Sequence, residues 1–161
     1  MINPDGVLFG NFRTSKPIYS IDFLGADLNR CFDSEDEITN PEISALKELG
    51  LKLKEEHGER FNLFLDLHGH SSERNIFTYG PDYELTETNY YQIRLLPKIL
   101  NLRSKMFKYH SSTFKLEEYK RYTARGFFLN SIGILGYTIE AGYAFYNDEN
   151  KLNVMGPKQW T

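Results

Sequence analysis

The stretch Phe61–Gly80, FNLFLDLHGHSSERNIFTYG, decides the fold and carries the first candidate site residue. It opens with an apolar run over Phe61–Leu67, a pattern that predicts a buried strand. The run then breaks into His68, Gly69 and His70, so the strand ends in side chains that can bind a metal. In open α/β sheets, binding sites lie outside the carboxyl ends of strands. We therefore expect His68 to be a metal ligand at the rim of a sheet. The alternative is a core or surface histidine without a functional role.

Length, charge and cysteine content limit the classes of protein to which this chain can belong. The chain has 161 residues, of which 40% are apolar and 25% charged, as expected for one globular domain with a sizeable core. Its net charge of −3 gives no general attraction to nucleic acid or to an anionic membrane. Cys31 is the single cysteine, which excludes an intramolecular disulfide and a cysteine-rich zinc site. No apolar run approaches the roughly 20 residues of a membrane span.

Hydrophobic periodicity predicts helices alternating with strands. The first helix has Asn40 as its N-cap and ends at Gly58, and its apolar face includes Leu49 or Gly50. Pro97 is expected to kink or shorten the second helix. The order of elements indicates an α/β protein with a mixed sheet. The predicted helices are Pro41–Glu56, Thr86–Leu102, Thr123–Ser131 and the start of a last one at Leu152–Trp160, and the further strands are Arg74–Tyr79 and Ile134–Ala141.

A second strand also ends in an ionisable residue, Glu140 in ILGYTIEA. A carboxylate there is costly to bury unless it is paired or functional, so it is either a salt-bridged rim residue or a general base beside a metal. A zinc site needs about three protein ligands. The local spacings His68-x-His70 and His70-x-x-Glu73 are weak evidence for one, because Gly69 is expected to end the strand. We interpret the HxxE spacing as a chance pattern in a loop.

Eight short motifs, in order, resemble those of the cytosolic carboxypeptidases. This branch of the zinc metallocarboxypeptidases trims glutamates from protein C-termini and side chains, tubulin above all. The resemblance implies an α/β/α sandwich around a mixed eight-stranded sheet, one zinc ion and a cytoplasmic, cytoskeleton-associated location. It also implies acidic protein C-termini, such as polyglutamylated tubulin, as partners, with no nucleic acid and no membrane. The motifs are Asn3-Pro4-Asp5-Gly6-Val7, Gly10-Asn11-Phe12-Arg13, Asp27-Leu28-Asn29-Arg30, Asp66-Leu67-His68-Gly69-His70-Ser71, Asn75-Ile76-Phe77-Thr78-Tyr79-Gly80, Phe114-Lys115-Leu116-Glu117, Thr123-Ala124-Arg125 and Tyr137-Thr138-Ile139-Glu140-Ala141.

The resemblance assigns roles to the reaction centre and to the substrate carboxylate. His68 matches the downstream zinc ligand of the family. Glu140 matches its general base, which together with zinc activates the attacking water and then protonates the leaving amine. Asn29 and Arg30 match the pair that holds the C-terminal carboxylate of the substrate, a task that suits a guanidinium because it can donate two parallel hydrogen bonds.

The remaining roles fall on two arginines and a tyrosine. Arg13 resembles the arginine that stabilises the tetrahedral oxyanion. Arg125 matches the basic residue that faces an acidic side chain in the specificity pocket; a solvated helix residue is the alternative for it. The family's larger class uses a mobile tyrosine before the general base, and Tyr119 and Tyr122 are both candidates.

The family's HxxE zinc motif lies upstream of the Asn-Pro-Asp-Gly turn with which this sequence opens. We therefore expect residues 1–161 to be a partial zinc carboxypeptidase catalytic domain. It would lack two of three zinc ligands, the N-terminal strands and the end of the last helix, and would be inactive alone. Two alternatives stay open. One is a non-catalytic binder of acidic peptide tails through Arg13, Arg30 and Arg125, and the other is a related zinc amidohydrolase of acylated amino acids.

Overall fold

The computed structural model describes residues 2–3, 27–33, 40–81, 87–115, 122–142, 145–148 and 151–154. The chain divides into two compact units. The first comprises Met1–Asn62 and Glu118–Ile134, and the second comprises Leu63–Glu117 and Leu135–Thr161. Within the part of the chain that the structure describes, no helix has both the length and the apolar character needed to cross a membrane.

The first unit is built around helix α1, Pro41–His57, which confirms the first predicted helix. Pro41 suits the first helical position, where its missing N–H is no loss. Gly58 ends the helix with φ 55° and its N–H donates to the carbonyl of Lys54. Of the two candidates for the apolar face, Gly50 is buried and Leu49 is 50% exposed.

Close helix packing explains why a glycine lies on that face. A Cβ atom added at Gly50 would lie 2.6 Å from Ile132 Cδ1 and 2.8 Å from Phe128 Cε1. Phe128 belongs to the short helix α3, Ala124–Asn130, which was also predicted. The core of this unit is completed by Phe32 and Leu129, both buried. A short 3-10 turn, Leu28–Arg30, precedes these helices in the chain.

The second unit contains a three-stranded mixed sheet and one long helix. The strands are β1, Leu63–His70, β2, Ile76–Tyr79, and β3, Leu135–Gly142, and the helix is α2, Glu87–Arg103. The strand order is β1-β3-β2, with β3 parallel to β1 and antiparallel to β2. The expectation of an α/β fold with a mixed sheet is confirmed.

The central strand β3 is the core of this unit. Tyr137 is fully buried, and its hydroxyl donates to the backbone oxygen of Ile93 on α2 at 3.0 Å, which ties the helix to the sheet. Thr78 on β2 is also fully buried, and its hydroxyl donates to the backbone oxygen of Thr138 at 2.8 Å. Buried polar groups are thus satisfied across both contacts of the central strand.

The prediction that β1 is a buried strand is wrong. Leu63, Leu65 and Leu67 are 38%, 44% and 76% exposed, because β1 is an edge strand of the described sheet and one of its faces is open. The strand also continues through Gly69, which pairs with Ala141 of β3. The inter-strand ladder therefore outweighs the local tendency of a glycine to interrupt a strand.

Two further expectations are corrected in part. Helix α2 runs through Pro97 to Arg103, so the expected early end is wrong, and Pro97 is fully buried. The helix predicted at Leu152–Trp160 does not begin at Leu152, because Lys151–Val154 forms strand β5, and residues 155–160 lie outside the described residues. Strand β5 pairs antiparallel with β4, Phe145–Asp148, in a two-stranded sheet. Aromatic residues at 145–146 favour a strand.

Candidate functional site

The two strand-end residues singled out in the sequence lie side by side. In the parallel ladder between β1 and β3, His68 is the register partner of Glu140. The Nδ1 atom of His68 is 3.9 Å from Oε1 of Glu140. The Glu140 side chain is 10% exposed and that of His68 is 32% exposed, so the pair is sheltered while the imidazole stays accessible. The structure thus brings together the predicted metal ligand and the predicted general base.

Asp66 contacts the other side of the same imidazole. Its Oδ2 atom lies 2.8 Å from Nε2 of His68, and its side chain is 11% exposed. Residues two apart on a strand project from the same face, so β1 places both side chains together without a turn or a loop. His68 is therefore flanked by two carboxylates, close at Nε2 and more distant at Nδ1.

His70 occupies the same face of β1 but serves the local structure. Its Nδ1 accepts backbone N–H groups from Glu73 at 2.9 Å and from Ser72 at 3.4 Å. Its ring meets that of Phe77 edge-on, with centroids 5.3 Å apart. Nδ1 thus caps the turn that follows the strand, and this agrees with the interpretation of the HxxE spacing as a loop pattern.

The described residues fit one ligand of a zinc site and not a complete site. Among them, no group of three or more His, Cys, Asp or Glu side chains could hold a metal ion, whereas zinc takes about three protein ligands in catalytic centres. His68 offers the right donor chemistry and carries a carboxylate on its second nitrogen, as metal-binding histidines commonly do.

The predicted carboxylate-binding residues lie in the first unit. The side-chain oxygen of Asn29 accepts the backbone N–H of Ala124, the first residue of α3, at 2.8 Å. Asp27 holds the turn from the other side, because its Oδ1 accepts the Asn29 N–H at 3.1 Å. Arg30 is exposed, and its Nη1 donates to the backbone oxygen of Asn29 at 2.8 Å. The Asn-Arg pair is thus presented on a turn that is tied to α3.

Arg125 follows Ala124 in the first turn of α3. It is 4% exposed, so the alternative that it is a solvated helix residue is wrong. Arginine is rarely buried without a compensating charge or hydrogen bonds, and such a position suits either a structural pair or the recognition of an anion. Tyr122, one of the two tyrosine candidates, is 46% exposed. Arg13 and Tyr119 lie outside the described residues.

Two features of these regions were not found from the sequence. The contact of Asp66 with His68 could have been suggested by their i, i+2 spacing, because residues two apart on a strand project from the same face. Cys31 beside the Asn-Arg pair is partly buried, and its thiol donates to the Asp27 backbone oxygen at 3.3 Å. Burial raises the pKa of this thiol, the carboxylates of Asp27 and Asp33 raise it further, and a backbone hydrogen bond at Arg30 lowers it.

Solved structures define the class to which this fold belongs. The metallo-carboxypeptidase of Pseudomonas aeruginosa superposes with a TM-score of 0.71 and 24% identity, over 93% of this chain and 37% of that one. The metallo-carboxypeptidase of Burkholderia cenocepacia gives a TM-score of 0.67 and 24% identity, over 88% of this chain and 34% of that one. The fold is that of the metallocarboxypeptidases. No protein-family model matches the chain.

Curated relatives narrow the class to one family. Human cytosolic carboxypeptidase 4 is 33% identical over 177 residues, which span 100% of this chain and 14% of the relative. Mouse cytosolic carboxypeptidase 6 is 29% identical over 147 residues, which span 91% of this chain and 26% of the relative. The homologues of this chain are cytosolic carboxypeptidases, which confirms the resemblance of its motifs to that family. The chain spans about a quarter or less of the length of these relatives.

Proposed function

We propose that this chain contributes the general base and one metal-ligating histidine to a metallocarboxypeptidase that removes C-terminal residues from proteins. The observation that carries the proposal is the parallel register of β1 and β3, which sets His68 beside Glu140. The homology to cytosolic carboxypeptidases supports the same reaction class. That residues 1–161 form a partial catalytic domain stays a prediction, and the proposal includes one zinc ion.

Glu140 is the residue that moves the proton in this proposal. Its side chain is 10% exposed at the end of a buried strand, and its Oε1 lies 3.9 Å from Nδ1 of His68. It takes a proton from the attacking water and returns it to the amine that leaves when the peptide bond breaks. General acid–base catalysis of this kind contributes about 10²–10⁴-fold to a rate.

The proposed substrate is a protein tail that ends in glutamate, such as that of polyglutamylated tubulin in the cytoplasm. Arg30 and Asn29 hold the terminal carboxylate, and Arg125 faces the acidic side chain. Support comes from the exposed guanidinium of Arg30 and the buried one of Arg125, since arginine is the residue best suited to bind carboxylates. The solved Pseudomonas aeruginosa metallo-carboxypeptidase is in complex with (2-guanidinoethylmercapto)succinic acid, a ligand that also carries carboxylates.

The proposal is tested by release of glutamate from peptides with added Zn²⁺. We would assay the 161-residue chain and the longest natural polypeptide that contains it, on peptides that end in glutamate or in alanine. We expect no turnover by the chain alone and turnover by the longer polypeptide. In the longer polypeptide, Glu140→Gln should lower kcat by about 100-fold or more with little change in KM.

The specificity arm uses Arg125→Ala. It should lower kcat/KM on glutamate-ended peptides more than on alanine-ended ones, and equal losses on both would remove Arg125 from the specificity pocket. Full activity of Glu140→Gln would contradict the proposed base. Peptide binding without release by the longer polypeptide would favour the alternative of a non-catalytic binder of acidic tails.

A further inference from the structure

We propose that Asp66 is a positioning residue that fixes the orientation and the tautomer of His68, so that its Nδ1 lone pair faces Glu140. The biological role of Asp66 rests on the proposed function, whereas the evidence and the test concern only the contacts and the protonated nitrogen of His68. The other histidine of the strand, His70, has a separate partner in the turn at Glu73 and serves as the reference.

One distance assigns the ring proton. A neutral imidazole has one N–H donor and one acceptor nitrogen. The 2.8 Å separation of Nε2 from Asp66 Oδ2 is that of a charge-assisted hydrogen bond, and an ionised carboxylate can only accept. In the neutral ring the proton therefore lies on Nε2 and is donated to Asp66, and the lone pair is on Nδ1.

The backbone makes this arrangement rigid. Asp66 and His68 pair in register with Thr138 and Glu140 of β3, so consecutive steps of one parallel ladder set the distances among the three ionisable side chains. Asp66 is 11% exposed, and a hydrogen bond to a charged group is stronger when water is largely excluded. A residue placed by a strand holds its partner more accurately than one placed by a loop.

Removal of Asp66 would change which nitrogen faces Glu140. The Glu140 carboxylate would then attract the ring proton to Nδ1, and the lone pair would move to Nε2 on the opposite side of the ring. A histidine that binds a metal usually donates its second N–H to a carboxylate, which fixes the tautomer and raises the basicity of the ligating nitrogen. Asp66 supplies that carboxylate, so it decides the nitrogen through which His68 can act.

The tautomer can be read directly by NMR. We would label the histidines of the full 161-residue chain with ¹⁵N and record long-range ¹H–¹⁵N spectra at a pH at which the rings are neutral. His68→Gln identifies the signals. We expect the Nε2–H form for His68 in the parent chain. In Asp66→Ala the ratio of Nε2–H to Nδ1–H should fall by about tenfold or more, the effect of losing one hydrogen bond to a charged acceptor.

Two variants and one internal reference keep the test decisive. Asp66→Asn retains an acceptor oxygen and should restore most of the Nε2–H form, and Glu140→Gln should leave it in place. The signals of His70 should stay constant, since its Nδ1 accepts from backbone N–H groups, and their loss would identify an unfolded variant.

The proposal is overturned if the parent His68 carries its proton on Nδ1, or if folded Asp66→Ala keeps the parent ratio. The parent spectrum decides the first point even where a variant fails to fold. Absence of peptidase activity, by contrast, would count against the proposed function and leave this measurement unchanged.

Discussion

Replacement of Asn29 by alanine should destabilise the first unit, because it removes the acceptor of a buried backbone N–H group. The Oδ1 atom of Asn29 accepts the N–H of Ala124 at 2.8 Å, and Ala124 is 2% exposed. The first N–H groups of a helix have no partner within the helix, so this amide depends on a side chain from elsewhere in the chain. In Asn29→Ala the N–H of Ala124 would be left buried without that acceptor.

The magnitude follows from the cost of an unsatisfied buried donor. Such a group costs about 1–3 kcal/mol, and loss of a helix cap costs about 0.5–2 kcal/mol. We therefore expect a loss of about 2 kcal/mol in the free energy of unfolding. For a chain of this length each 1 kcal/mol shifts Tm by about 2–4 °C, so Tm should fall by about 4–8 °C.

The assay is urea unfolding followed by circular dichroism, with Asn29→Asp as the matched control. Aspartate keeps an acceptor oxygen beside Ala124 and adds a negative charge near a helix N-terminus, so the control should unfold within about 0.5 kcal/mol of the parent. It also removes the amide donors that the proposed carboxylate site requires. Asn29→Asp should therefore keep stability but weaken the binding of glutamate-ended peptides.

Two results would refute this reasoning. If Asn29→Ala unfolds at the same urea concentration as the parent, the contact with Ala124 contributes nothing to stability. If Asn29→Asp is as unstable as Asn29→Ala, the acceptor oxygen is not the group that matters. Intact peptide binding by Asn29→Asp would separately remove Asn29 from the carboxylate site.

Two further variants test one interaction in each unit, the burial of the Cys31 thiol and the hydrogen bond of the Thr78 hydroxyl. Burial, reinforced by the Asp27 carboxylate, raises the pKa of the Cys31 thiol above its ordinary value of 9.0, so the folded state favours the protonated thiol. The contribution of the thiol to stability is fully present below pH 9.0 and is lost as the pH rises through the higher folded pKa. Urea titrations at pH 8–10 should show this loss in the parent and not in Cys31→Ser. In the second unit, Thr78→Val removes the hydroxyl that donates to the Thr138 backbone oxygen and should cost about 1–3 kcal/mol in thermal unfolding. The same change at exposed Thr113 should stay within about 0.5 kcal/mol, and equal losses at both positions would show that the hydrogen bond is not the cause.

Local signals predicted most of the regular elements because the residues that start and end those elements are recognisable in the sequence. Helix α1 has Asn40 and Pro41 at its start and Gly58 at its end, and the observed range extends the predicted one by a single residue. The strand β3 was predicted because it is buried on both faces and is therefore apolar almost throughout. In these segments local preference and tertiary packing agree, which is the condition under which sequence patterns are reliable.

The errors arose where long-range contacts decide. An apolar run such as that of β1 shows that leucines are present, but it does not show which elements cover them, and here Leu67 is 76% exposed. Helix α2 continues through Pro97, which is buried in the fold, and no local sequence pattern shows that this proline is buried. The β4–β5 hairpin was missed because Leu152–Trp160 was interpreted as the start of a helix, and short apolar segments fit a helix or a strand about equally well.

The chemistry of the candidate site depends on partners and not on spacing. His68 and His70 lie two residues apart on the same face of one strand, and residue type and spacing cannot rank them; only the resemblance to a family favours His68. The structure separates them by what each ring nitrogen contacts: Nδ1 of His70 accepts the N–H of Glu73, whereas Nε2 of His68 meets the carboxylate of Asp66. Nδ1 of His70 therefore serves the turn. The ring of His68 is held by a carboxylate with its other nitrogen towards Glu140, which is the arrangement that the proposed metal binding requires.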